Sequence, residues 1–309
     1  MTAQQETVVP SAHNYDDPDV VSPDGPPDDQ LDGQLDGMAT IQDWSVGYVK
    51  RHPLASITTV GEQFVLGVRT LQYFFIDLVT GRFQWEEFVR QGAFMAGTAV
   101  LPTVLVSLPI SVTMSVQFAM MAGQVGATSL AGAASGLAVI RQGASLVAAM
   151  LMASAVGSAI TADLGSRTMR EETDAMEVMG VSVIRRLVVP RFAAAIMIAV
   201  ALTGVVCFVG FFASYLFNVY FQNGAPGSFV STFASFATTD DLILALLKAM
   251  IFGAIVTVVS AQKGLSTKGG PTGVANSVNA AVVEAILVLM IVNVAISQLY
   301  IMMVPRTGL

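Results

Sequence analysis

The polar chemistry of this chain is concentrated in one stretch. Between two long apolar runs lies Arg167-Thr-Met-Arg-Glu-Glu-Thr-Asp-Ala-Met-Glu-Val-Met-Gly180, followed by Arg185, Arg186 and Arg191. Lipid rejects such charge density, so the insert must lie in water or against another protein. The spacing predicts a short self-capped helix over 168–180. Thr168 and Glu171 are spaced as a capping box, Glu171 and Glu172 suit the positive end of the helix dipole, and Gly180 suits a left-handed stop. On a wheel of about 100° per residue, Glu171, Asp174 and Glu177 fall on one side and Met169, Met176 and Met179 on the other. Carboxylates pair with cations, and flexible thioether chains adapt to irregular partner surfaces, so the functional reading is a docking element. The competing reading is a solvated helix that joins two spans and rests its Met face on headgroups.

Other reactive groups are sparse. The turn Lys263-Gly-Leu-Ser-Thr-Lys-Gly-Gly-Pro-Thr-Gly273 is glycine-rich, but Gly270 and Pro271 stand where a phosphate-binding loop needs Lys-Ser/Thr. It reads as a tight hairpin between helices. Arg141 and Glu284 are read as the charges nearest membrane depth. Each either faces a substrate cavity, where Arg141 would attract an anionic headgroup, or snorkels to the nearer surface. Cys207 is the only cysteine and lies in an apolar run, and His13 and His52 lack companions for a metal site. No triad, paired carboxylates or metal-ligand spacing appears, so the chain is expected to be non-catalytic, with no metal and no cofactor of its own.

The elements that must position these residues belong to a membrane. The chain is 54% apolar and 12% charged, against about 25% charged in soluble domains. Much of the acid lies in residues 1–43, where nine aspartates from Asp16 to Asp43 mix with Pro and Gly and no Lys or Arg occurs. That composition predicts a disordered acidic tail. A helical region over 44–90 follows. Within 54–80, Ile57, Val60, Phe64, Val68, Leu71, Phe75 and Leu78 make one stripe, with Thr59, Glu62, Arg69, Thr70 and Asp77 opposite. This predicts an amphipathic helix lying in the interface, flanked by Trp44, Tyr48, Lys50, Arg51, Arg82, Trp85 and Arg90 at headgroup depth. The region 91–309 holds five runs able to cross about 30 Å of hydrocarbon, near 93–120, 136–162, 187–217, 242–261 and 278–304. Pro102 and Pro109 predict kinks in the first. The expected fold is an all-α membrane protein with an N-terminal interfacial helix, five transmembrane helices and a short helix between spans two and three.

Loop charge predicts orientation. Residues 121–135 and 218–241 carry no Lys or Arg, whereas 163–191 carries five arginines and 262–274 carries Lys263 and Lys268. The positive-inside rule then puts the N-terminus and the charged insert in the cytoplasm and the C-terminus outside, in an inner (plasma) membrane, with Arg306 a mild exception.

These residues resemble the MlaE/YrbE family of ABC-transporter permeases. The main match is Glu171-Glu-Thr-Asp-Ala-Met-Glu-Val-Met-Gly-Val-Ser-Val-Ile-Arg-Arg-Leu-Val-Val-Pro-Arg191. Further matches are Asp241-Leu with Lys248-Ala-Met-Ile-Phe-Gly253, and Lys263-Gly-Leu through Gly269-Gly-Pro-Thr-Gly-Val274 with Ala281-Val-Val283. The likeness spans about 54–304 and is nearest to the A-type permease of mycobacterial Mce systems. It implies that Glu171, Glu172, Asp174, Ala175, Met176, Glu177, Val178, Met179, Gly180, Arg185 and Arg191 belong to a coupling helix that docks on a cytoplasmic ATPase dimer. ATP and Mg would sit on that partner. It further implies a second permease, MCE-domain proteins on the outer face, and a lipid or other hydrophobic cargo; nucleic acid has no part.

The chain departs from the family pattern at several points. Arg141-Gln-Gly-Ala-Ser145 stands where Arg-Glu-Leu-x-Pro is common, and Ala153-Ser-Ala-Val-Gly157 where Ala-Gly-Arg-Val-Gly is common. Asp163 replaces a usual Glu, and Asn293 stands where an acid is frequent. These losses fit a heterodimer whose partner supplies the missing charges. The actinobacterial likeness favours uptake of fatty acids or sterols. An ion-driven secondary transporter and a non-transporting scaffold for an MCE ring are the alternatives.

Overall fold

The computed structural model describes residues 61–81, 83–124, 126, 131–221 and 225–303. The acidic tail, Ile57, Val60, Trp44, Tyr48, Lys50, Arg51, Arg82 and Arg306 lie outside the described residues. Every regular element among those described is helical, and five helices are long and apolar enough to cross a membrane: Trp85–Gln124, Ala134–Met169, Ile184–Phe221, Thr239–Leu265 and Gly270–Met303. The expected all-α fold with five spans is the observed one. The helices outrun their apolar windows because polar ends continue the same backbone hydrogen bonds. The first, for example, opens on Glu86 and Glu87, which suit a helix N-terminus.

The elements run as follows. Helix α1 occupies 61–80, and α2 is Trp85–Gln124. The second span is α3 (Ala131–Ala138), a π-helical turn Val139–Gly143, α4 (Ala144–Leu151), a second π-helical stretch Met152–Gly157 and α5 (Ser158–Met169). The short α6 is Glu172–Val178. A third π segment, Ile184–Val188, leads into α7 (Val189–Phe221), followed by α8 (Pro226–Phe236), α9 (Thr239–Leu265) and α10 (Gly270–Met303).

Small residues set the packing. Helix α2 is continuous through Pro102 and Pro109, and it buries Met95, Ala99, Thr103, Ser107, Ser111 and Ser115, one every fourth residue, on the side packed against α7. The Thr103 hydroxyl donates to Ala99 O at 2.6 Å and the Ser107 hydroxyl to Val104 O at 3.0 Å. The polar stripe is therefore satisfied within its own helix and lets the backbones approach. Helix α10 buries Ala281, Ala285, Leu289 and Asn293 in the same rhythm.

The crossing of α7 and α9 is closest at Gly253. A Cβ there would stand 2.9 Å from Ala195 O and 3.1 Å from Ile196 Cα, backbone atoms that cannot move without parting the helices. Gly253→Ala is therefore expected to destabilise the fold by about 1–3 kcal/mol through overpacking. Gly204→Ala, where a Cβ meets nothing within 4 Å, is expected to be neutral or mildly stabilising. Thermal unfolding of the two variants in one detergent checks the contrast, and equal midpoints would contradict the close crossing.

Helix α1 presents the reverse of a soluble amphipathic helix. Part of its polar side points into the protein, where Gln63, Thr70 and Asp77 are buried, while Glu62 and Arg69 are exposed. Its apolar stripe points out, with Phe64 73% and Phe75 55% exposed. In a membrane chain this is the favourable arrangement, because lipid covers apolar groups while polar groups need protein partners.

One helix escapes the sequence reading. The segment 218–241, which has no Lys or Arg and is expected to be a loop, contains α8, which starts on Pro226. Phe229 is buried, and Phe233 lies 4.7 Å from Phe211 between ring centroids. Pro pre-sets the first helical turn, and the aromatic rings hold α8 to α7.

Candidate functional site

The charged insert folds as two pieces. Helix α5 ends at Met169, and Glu171 takes a left-handed conformation, φ 59°, before α6 begins at Glu172. The expected continuous helix over 168–180 is thus corrected to a break followed by seven residues, Glu172–Val178. The expected capping box does not form: the Thr168 hydroxyl donates to Leu164 O, 3.0 Å away in its own helix, and Glu171 makes no side-chain cap. The stop is as expected. Gly180 has φ 75°, its N–H donates to Glu177 O at 2.9 Å, and Val181 N–H donates to Met176 O at 2.9 Å. Those two bonds form a Schellman motif, which requires a left-handed residue at Gly180.

The break also changes which faces α6 presents. Thr173 is buried and Met176 half-buried, so these face the protein. Asp174, Ala175, Glu177, Val178 and Met179 are exposed, with Val178 89% and Met179 69% accessible. The wheel drawn through 168–180 separates acids from methionines. With the helix broken at Glu171, Met169 belongs to α5, and carboxylates and apolar side chains share one outward surface. Glu172 is held at its base by Arg170 at 2.8 Å and Arg167 at 3.7 Å.

Arg185 and Arg191, which the family likeness groups with this surface, are turned inward. Arg185 binds Asp77 of α1 through two nitrogens, Nε reaching Oδ2 at 2.9 Å. The side chain of Arg191 is only 3% exposed and pairs with Asp163 of α5. Glu284 joins Lys263 at 2.7 Å and accepts from Gln63 of α1, and Gln262 donates to Glu62 at 3.1 Å. The polar face of α1 is therefore pinned to the same end of the bundle as α6 by Asp77, Glu62 and Gln63. Glu284 belongs to that girdle and lies far along α10 from the level of Arg141.

Arg141 belongs to a second polar cluster, within the bundle. It sits in the π turn Val139–Gly143 and its Nε donates to Asp241 at 2.6 Å. Asp241 is fully buried and also accepts from the Thr238 hydroxyl at 2.9 Å, closing the capping box of α9. Two turns on, Lys248 is 1% exposed. Its ammonium donates to Gln142 Oε1 at 2.8 Å, Ser297 Oγ at 2.8 Å, Asn293 Oδ1 at 3.2 Å and Arg141 O at 3.4 Å. All four acceptors are uncharged. The second, fourth and fifth spans thus meet on one lysine. Gln142 and Asn293, separated by 151 positions of chain, both lie against that ammonium.

The sequence reading passes over Lys248 as a site, although the signal is present. It is the one ionisable residue inside the apolar run 242–261, and intramembrane charge marks function by default. Its partners are invisible in the chain because they lie on other helices.

The family described as "Permease MlaE" matches residues 88–299. A probable ABC transporter permease protein of Synechocystis is 28% identical over 225 residues, 73% of this chain and 86% of the relative. The chloroplastic protein TRIGALACTOSYLDIACYLGLYCEROL 1 of Arabidopsis thaliana is 28% identical over 229 residues, 73% of this chain and 64% of that protein. A probable ABC transporter permease protein of Rickettsia prowazekii is 27% identical over 164 residues, 53% of this chain and 63% of the relative.

Proposed function

The chain belongs to the MlaE permease family, and from that premise we propose that it is the membrane subunit through which an ABC transporter moves lipid. A permease of this kind works with an ATPase. The observation that carries the coupling role is the exposed surface of α6, where Asp174 and Glu177 stand beside Val178 and Met179 at one end of the spans. Carboxylates steer and orient a basic partner, and the apolar pair supplies the contact core. Positive-inside charge favours placing α6 in the cytoplasm, where ATP is hydrolysed. A lipid cargo is supported by the Arabidopsis relative, which is named for a galactolipid.

Finer parts of the proposal rest on the resemblance. They are a second YrbE-type permease, MCE proteins on the outer face, and uptake of fatty acids or sterols as in actinobacterial systems. A heterodimer is favoured by the departures from the family pattern at Gln142, Ala155 and Asn293, where a partner would supply the missing charges.

The test is reconstitution of the complex purified through this chain in vesicles carrying a fluorescent lipid. Transfer that needs ATP hydrolysis is expected. Transfer that follows an ion gradient without ATP would replace this reading with a secondary transporter, and an assembled complex that moves no lipid under either drive would leave a scaffold.

A further inference from the structure

We propose that the α6 end of the bundle holds a binding site for a phosphate oxyanion, lined by Arg90 of α2, Arg167 of α5 and Arg191 of α7. The three arginines line a cavity of about 390 Å³ whose only acidic lining residue among those described is Asp163. The site does not depend on the transport reading, and it is separate from the α6 surface and from the Lys248 cluster.

Arg191 carries the argument. Its side chain is 3% exposed, and one nitrogen, Nη2, pairs with Asp163. The other, Nη1, is buried and finds no acceptor among the described residues. A guanidinium presents its donors as a fork matched to carboxylate and phosphate. Leaving one arm of a buried charged donor empty is unfavourable, because its desolvation is not repaid. Asp163 occupies one arm and Arg191 lines the cavity, so the other arm is the one left for a second oxyanion once the guanidinium turns toward it.

The remaining charges favour the same ligand. Asp163 is shared between Arg191 and Arg167, whose Nε lies 3.2 Å from it, so one carboxylate faces two cations. Arg90 adds a third. Glu87 and Glu172 pair with Arg90 and Arg167 but are not lining residues. The other wall is apolar, formed by Phe94, Met95, Val156 and Ile160. Guanidinium donors against an apolar wall suit the phosphate of an amphiphile better than a free ion, with the first methylenes of its chain on Phe94 and Ile160.

The probe is phosphatidylglycerol against phosphatidylcholine, offered at equal concentration to the full chain in neutral detergent and counted by native mass spectrometry. One phosphatidylglycerol per chain is expected to be retained selectively. Arg191→Gln is a poor test because a buried ion pair breaks with it. The more accessible pair, R90Q with R167Q, is expected to lower the selectivity about tenfold or more, the loss of at least one charge-assisted bond, with the thermal midpoint little changed. Equal retention of the two lipids, or unaltered selectivity in the double variant, would overturn the site. Excess inorganic phosphate separates the sources: displacement of the lipid supports a site for the free anion, and persistence supports a headgroup site.

Discussion

Replacing Asp174 and Glu177 together by lysine is expected to abolish recovery of the ATPase through this chain while the chain itself remains folded. Both carboxylates are exposed on α6. Truncating or reversing a charge that is hydrogen-bonded across an interface costs about 2–5 kcal/mol. Two such losses amount to about three orders of magnitude in affinity or more, since each 1.4 kcal/mol is about tenfold. The internal cost is smaller. A lysine in the first turn of a helix opposes the dipole by about 0.3–1 kcal/mol, and the Schellman bonds from Gly180 and Val181 are backbone bonds that side-chain charge does not touch. Affinity purification followed by quantification of the ATPase reads the result, and wild-type recovery would remove α6 as the dock. Glu171 is the wrong residue for this test, because its left-handed backbone makes the break itself.

The Lys248 cluster should give a large non-additive effect. Lys248→Met takes the ammonium from the buried Asn293 oxygen and leaves the exposed Gln142 oxygen with only the Ser297 hydroxyl, and a buried acceptor left without a donor costs about 1–3 kcal/mol. Gln142→Glu alone should be tolerated, since a carboxylate would take the place of Oε1, 2.8 Å from the ammonium. The same change combined with K248M would leave a carboxylate without a cation, facing only the Ser297 hydroxyl. The two substitutions are therefore expected to couple by at least about 2 kcal/mol in a double-mutant cycle, read from thermal midpoints, and lipid transfer is expected to fall with stability. Additive effects would mean that Gln142 and Lys248 do not meet.

The membrane architecture is legible in the chain for a simple reason. A helix that crosses hydrocarbon must satisfy its backbone internally and be apolar over about 20 residues, so hydropathy alone locates all five spans. Gly180 is equally local: a left-handed stop needs a residue without a Cβ penalty, and the sequence places one after Met179. The amphipathic stripe of α1 is also legible, but not which side faces the protein. Periodicity is blind to that choice, and in lipid the polar side is the one that must find partners, as Asp77 does with Arg185.

The sequence by itself determined the spans, the charged break between the second and third of them, and the helix stop at Gly180, because each depends on residues within a turn or two of one another. The tertiary structure decided the rest. It brought acids and apolar side chains onto one face of α6 by reversing the backbone at Glu171, and it turned Arg185 and Arg191 away from that face. Gln142, Lys248 and Asn293 lie on three different helices. Their meeting depends on how small residues such as Gly253 let those helices close, and on the requirement that a buried ammonium find acceptors wherever the packing presents them.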